Sequence, residues 1–119
     1  MSSKPEEMRD RTKAFTLRII RLFRSLPYRT DTQVLGKQLL RCGTAVAANY
    51  RAACRARSKA EFVARIAIVA EEADESVLWL ELLIESGIIK TEMTVELLKE
   101  AKELAAILTA SRATAKRTA

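Results

Sequence analysis

Histidine does not occur among the 119 residues, so the commonest general base and metal ligand is missing from any chemistry this chain performs. Glycine (3) and proline (2) are scarce, which leaves few turn residues from which to build a sheet. Two cysteines, Cys42 and Cys54, fall in one predicted helix ~18 Å apart, too far to bridge within it, and read as free thiols of a reducing cytoplasm. No run approaches the ~18 apolar residues of a spanning helix, and residues 1–14 lack the apolar core of a signal peptide. Six aromatic residues, of which Phe15, Phe23, Phe62 and Trp79 sit on apolar stripes, offer no evident stacking platform. Zinc knuckles, glycine-rich phosphate loops and helix-turn-helix signatures are also missing from the sequence. A cytoplasmic, non-enzymatic protein without cofactor or membrane contact is the expectation.

What remains is rich in Ala, Leu, Glu, Lys and Arg, a helix-forming mixture. Apolar spacing predicts four helices, over about 6–26, 31–54, 58–86 and 91–111. In the first, Phe15, Ile19, Leu22, Phe23 and Leu26 make one stripe, closed by Pro27. Thr30 with Gln33, and Ser58 with Glu61, have the spacing of capping boxes. The second helix carries Leu35, Leu39, Cys42, Val46, Asn49, Tyr50 and Ala53 on one line. Beside it runs a mostly small line, Gly36, Leu40, Gly43 and Ala47, suited to close approach of another backbone. The third is apolar on more than one side, from Phe62 and Ile66 to Leu80 and Ile84, with Leu78, Trp79 and Leu82 widening the stripe. Gly87 is placed to end it. Leu97, Ala101, Leu104 and Leu108 face inward on the fourth, and the tail 112–119 has no periodicity and reads as frayed. The class is all-α: one domain over 1–119, an antiparallel up-down-up-down four-helix bundle. A lone bundle would leave part of the third helix wet, which argues for self-association.

Charge is strongly polarised. Residues 11–59 hold twelve Lys/Arg against a single acid, Asp31, whereas residues 60–111 hold four against eleven. Much of this is accounted for by basic and acidic helices packing together. Within NYRAACRARSK (49–59), Arg51 and Arg55 suit a helix C-terminus, where the dipole favours cations by ~0.3–1 kcal/mol each. Arg57 and Lys59 open the next helix, where it does not. That excess, with the ridge Arg18, Arg21 and Arg24, points to a polyanion surface contacting backbone phosphate without regard to base sequence. The alternative is a scaffold whose basic face docks an acidic protein partner.

Other charged residues invite structural readings. Arg41 is spaced to pair with Glu72 or Glu75, Asn49 to fix packing register, and Trp79 to serve the core or an oligomer contact. Glu71, Glu72, Asp74 and Glu75 cluster in the third helix, and read as a solvated or paired acidic face rather than a metal site.

QLLRCGTAVAANYRAACRARSKAEF followed by EEADESVLWLELLIESGII resembles the bacterial four-helix-bundle proteins named for intervening sequences in 23S rRNA genes. That family includes the accessory protein of diversity-generating retroelements. The likeness covers about residues 10 to 108 and rests on Arg41, Thr44, Ala48, Asn49, Tyr50, the basic 55–59 turn, and Trp79 to Leu82. Family members often carry Ser where Thr44 stands and Glu where Ala52 stands, so the segment here is more purely basic. The resemblance implies a ring-like homo-oligomer, a homopentamer, without catalytic activity. In the retroelement branch it further implies RNA or DNA binding and a reverse transcriptase as partner. Arg41, Asn49, Tyr50 and Trp79 would then serve packing within or between subunits.

Overall fold

The computed structural model describes residues 3–118, of Met93 the backbone alone. Four helices follow one another: α1 (Lys4–Ser25), α2 (Thr30–Cys54), α3 (Lys59–Glu85) and α4 (Thr91–Thr118). Each packs on the next and α4 returns to α1, so α1 and α3, like α2 and α4, stand diagonally opposite. Connections of a few residues make neighbours antiparallel. The four-helix bundle expected from the sequence is the observed architecture.

Helix ends follow from local chemistry. Ser3 Oγ accepts from Glu6 N at 3.2 Å, and Pro5, Glu6 and Glu7 occupy the first turn of α1, where a missing N–H costs nothing and anions meet the dipole. That cap starts α1 two residues before the predicted 6. Pro27 stops it, and Leu26 N donates back to Phe23 O. Ser58 caps α3 through Glu61 N at 3.0 Å, while the Glu61 carboxylate reaches back to Arg57 N at 3.1 Å, one residue beyond the expected partner. Gly87 ends α3 at φ 80°, a conformation that costs glycine nothing, and its N–H donates to Ile84 O.

Two expectations need correction. Thr30 is not a cap: it is the first residue of α2, the N-cap is Arg29 without a side-chain bond, and Gln33 N is satisfied by Arg29 O at 2.8 Å. Residues 112–118 are not frayed. α4 runs to Thr118, because Ala115 is buried at the far end of the bundle and holds the last turns down. Position 119 lies outside the described residues.

The core is Phe15 and Ile19 of α1, Leu39 and Val46 of α2, Ile66, Val69, Leu80 and Leu83 of α3, and Leu97, Leu104 and Leu108 of α4. The line of small residues on α2 faces α1. A Cβ at Gly43 would lie 2.5 Å from Ile19 Cδ1, and one at Gly36 would lie 2.8 Å from Leu26 Cδ1. With no side chain at 43, the Thr16 hydroxyl reaches the Gly43 carbonyl at 2.7 Å, a buried bond between the helices. The α1–α4 seam closes through Arg11, whose guanidinium takes both Glu100 oxygens at 2.8 and 2.7 Å and Glu103 at 2.8 Å.

Candidate nucleic-acid interface

The structure sorts the basic residues into places that their order in the chain does not reveal. On a helix, residues three apart differ by ~60° around the axis, so Arg18, Arg21 and Arg24 fan across ~120° of α1 rather than forming one ridge. Arg18 is half-buried, and Arg21 and Arg24 are exposed. Arg24 lines the groove between α1 and α2 with Lys37. The 51–59 cluster divides as well. Arg51 and Arg55 line the α1–α2 groove at its other end, whereas Lys59 lines a recess of about 750 Å³ between α1 and α4 beside Met8, Tyr50 and Phe62. Arg57 is exposed at the turn, its N–H taken by Glu61.

Two cations missed in the sequence join the groove. Arg9 and Lys13 of α1 face Arg51 and Arg55 of α2 across a recess of about 610 Å³, floored by Thr44, Ala47 and Ala48. Asp10 is the acid among its lining residues. Arg9 and Lys13 carry an i, i+4 spacing that aligns them on one face, which is the signal that could have found them. Their distance in sequence from Arg51 is what hid the cluster.

The packing residues hold the α2–α3 side. The Arg41 guanidinium donates to Glu72 at 3.0 Å and to Glu75 at 2.6 Å, and Nη2 lies 3.1 Å from Cys42 Sγ. Trp79 Nε1 donates to Glu75 Oε1 at 3.2 Å, so that carboxylate serves two donors from two helices. The hydrogen bond from Arg41 is the main reason the Glu75 carboxyl is held below its ordinary range. Burial, with Glu75 nearby, pushes the Cys42 thiol up to about 12, so it stays protonated and unreactive. Cys42, Glu72 and Glu75 place their ligand atoms within 4.8 Å of one another, but Arg41 already supplies the cation there. Glu71 and Asp74 stay exposed on α3.

Asn49, only half-buried, bridges helices: Nδ2 donates to Ala45 O at 2.9 Å and Oδ1 accepts from Arg65 Nη1 at 3.2 Å. Both ends of the amide are engaged within the one chain, and this locks α2 against α3. Tyr50 is half-buried, its hydroxyl pushed up to about 12 by burial and by the neighbouring Cys54.

A sequence profile described as 23S rRNA-intervening sequence protein matches residues 6–110. The chain belongs to that family. A crystal structure of a protein of unknown function from the S23 ribosomal protein family of Bacteroides thetaiotaomicron is similar throughout. It is 33% identical, with a TM-score of 0.84, and the likeness covers 92% of this chain and 98% of that one. No curated protein matches the chain. Membership of the 23S rRNA-intervening sequence family agrees with the residues that carried the resemblance. Arg41 and Asn49 among them now have partners in this structure, and Trp79 has its bond to Glu75.

Proposed function

We propose that this family member is a non-enzymatic, cytoplasmic homo-oligomer that binds structured RNA or DNA through a repeated basic surface. The observation that carries the reading is the convergence of Arg9, Lys13, Arg51 and Arg55 on one groove from two helices. Convergent cations meet backbone phosphate, release counterions, and need no base contact. Arg18, Arg21, Arg24, Arg57 and Lys59 extend the same field over the neighbouring surface.

Self-association is supported by α3. Ile68, Leu78 and Leu82 are exposed, and with Glu71 and Glu75 they follow heptad spacing along one outer stripe. A second copy would cover apolar surface that one bundle leaves wet, and the resemblance sets a pentameric ring as the expected form. Each added subunit repeats the basic groove, which multiplies weak phosphate contacts. No helix among the described residues is long and apolar enough to cross a membrane.

The fan of arginines on α1 favours a second reading, a scaffold whose basic face docks an acidic protein partner; a reverse transcriptase is the protein partner that the retroelement branch of the resemblance implies. Cations spread around a convex helix suit a broad acidic surface. The two readings separate on the triple variant Arg55→Ala, Arg57→Ala and Lys59→Ala, measured for RNA affinity and for partner capture after nuclease treatment. Lost RNA binding supports the first reading. Unchanged RNA affinity removes these three residues from the interface, and nuclease-resistant capture brings the scaffold forward.

A further inference from the structure

The basic recess does not end at Thr44. That residue also lines a second recess of about 650 Å³, further along the same two helices, which carries Arg24 and Lys37. Lys37 in turn lines a third, of about 350 Å³, with Tyr28 and Arg29. The three recesses follow one another as a furrow from Arg55 to the α1–α2 turn, ~37 Å at the rise of α2, with Thr44 and Lys37 standing where one meets the next. Cations stand on both walls at one end, and the floor there is small and neutral. At the other end Tyr28 is 93% exposed, an aromatic ring with almost no packing role.

We propose that the α1–α2 furrow is a track for one unpaired nucleic-acid strand, with Tyr28 as the platform on which a base stacks. This rests on the nucleic-acid reading above and narrows it to unpaired segments. Neighbouring helix axes lie ~8–10 Å apart, and Gly36 and Gly43 hold these two close. Two helices packed this closely leave a narrow surface groove between them, along which one extended phosphodiester backbone can lie. A duplex is far wider than such a groove and touches only its rims. A free aromatic beside arginine and lysine is of use to a base with an open face, which a paired strand does not offer. Contacts to phosphate and stacking on a ring carry little sequence information, so the track is sequence-tolerant.

The test uses the full-length protein with a fluorescent single strand of about 12 nucleotides, within the usual range of single-strand sites, and a duplex of equal length. Arg9→Ala with Lys13→Ala should lower the log–log salt slope by about 1.4 and the affinity at 0.1 M salt by about 25-fold, from ~0.7 counterions per phosphate. The charge-matched control, Lys90→Ala with Lys99→Ala on the α4 side, should change affinity by less than about threefold, as expected of charges largely screened beyond a Debye length. Tyr28→Ala should weaken the single strand at least about fivefold and leave the duplex unchanged, while Tyr28→Phe keeps the ring and the affinity. Because Tyr28 is almost fully exposed, its loss does not disturb folding. If the single strand binds but both variant sets behave like the control, the furrow is wrong and nucleic-acid binding stands. If the duplex binds as well as the single strand and Tyr28→Ala matches wild type, the unpaired-strand assignment is overturned. If neither nucleic acid binds, both readings fall together.

Discussion

Replacing Gly43 by alanine tests whether the close α1–α2 approach that shapes the furrow is real. The new Cβ would lie 2.5 Å from Ile19 Cδ1 and 3.2 Å from Ile19 Cγ2, in a place where Ile19 has no exposure and no room to turn aside. Overpacking of this kind costs ~1–3 kcal/mol. Alanine returns ~1 kcal/mol of helix propensity, and any retreat of α1 stretches the Thr16–Gly43 bond, worth ~1 kcal/mol. The net is a loss of about 1–2 kcal/mol, or about 4–8 °C in Tm for a chain of this length. Gly36→Ala is the paired control. Its Cβ meets Leu26 and Phe23, both half-buried near the end of α1, so they can shift and the variant should stay within ~0.5 kcal/mol of wild type. Ile19→Val removes the clashing Cδ1 atom. Alone it should cost ~1 kcal/mol, and on the Gly43→Ala background it should cost nothing or restore stability. Thermal and urea unfolding at one fixed protein concentration give all four values. A Gly43→Ala protein as stable as wild type, with Ile19→Val simply additive, would refute the packing argument.

The remaining expectations address the other contacts. Arg41→Ala should destabilise by ~1 kcal/mol at pH 7, the upper range for an exposed ion-pair network. Glu75 has a depressed folded pKa, so its contribution is complete above the ordinary 4.5 and is lost as pH falls through the lower folded value. Unfolding from pH 7 down to 3 should therefore show the gap between wild type and Arg41→Ala narrowing below 4.5, and a constant gap would contradict it. Alkylation at pH 8 followed by intact mass should add at most one label to the native protein, on half-buried Cys54, because Cys42 is buried and its thiol pushed up to about 12. Two labels without unfolding would show that Cys42 is not enclosed. Ser58→Ala should cost ~1 kcal/mol through the lost cap, whereas Thr30→Ala should stay within ~0.5 kcal/mol, since Thr30 caps nothing. Urea midpoints of the two variants decide between them.

Much of the architecture was legible because helical periodicity is a local signal. The stripes through Phe15 and Ile19, Leu39 and Val46, and Leu104 and Leu108 are the core, and the line of small residues on α2 met α1 as its spacing implied. Arg41 found both Glu72 and Glu75 because one helical turn separates the acids on α3. The tail was misread for a physical reason. Residues 112–118 carry a single buried anchor, Ala115, and one alanine leaves no periodicity to detect. Thr30 had the residue type of a cap, but the chain entered the helix one residue sooner. The basic site was legible only in halves. Arg51 and Arg55 stood in a dense run, yet their partners Arg9 and Lys13 come from another helix, and the solvent-facing Tyr28 carries no pattern that marks exposure. Sequence proximity grouped Arg57 and Lys59 with them, while the turn carries Lys59 around to the α4 side.

Equilibrium binding of the purified protein to a structured RNA and a DNA duplex, across about 50 to 200 mM salt, tests the central claim most directly, because the log–log slope counts phosphate contacts. Light scattering on the same samples gives the mass. The account predicts sub-micromolar RNA binding at the upper salt, a slope steeper than about −3, and a mass several times the 13.3 kDa of one chain. A flat slope, or binding already lost at the upper salt, would contradict it and leave the arginines as solvated charge on a scaffold.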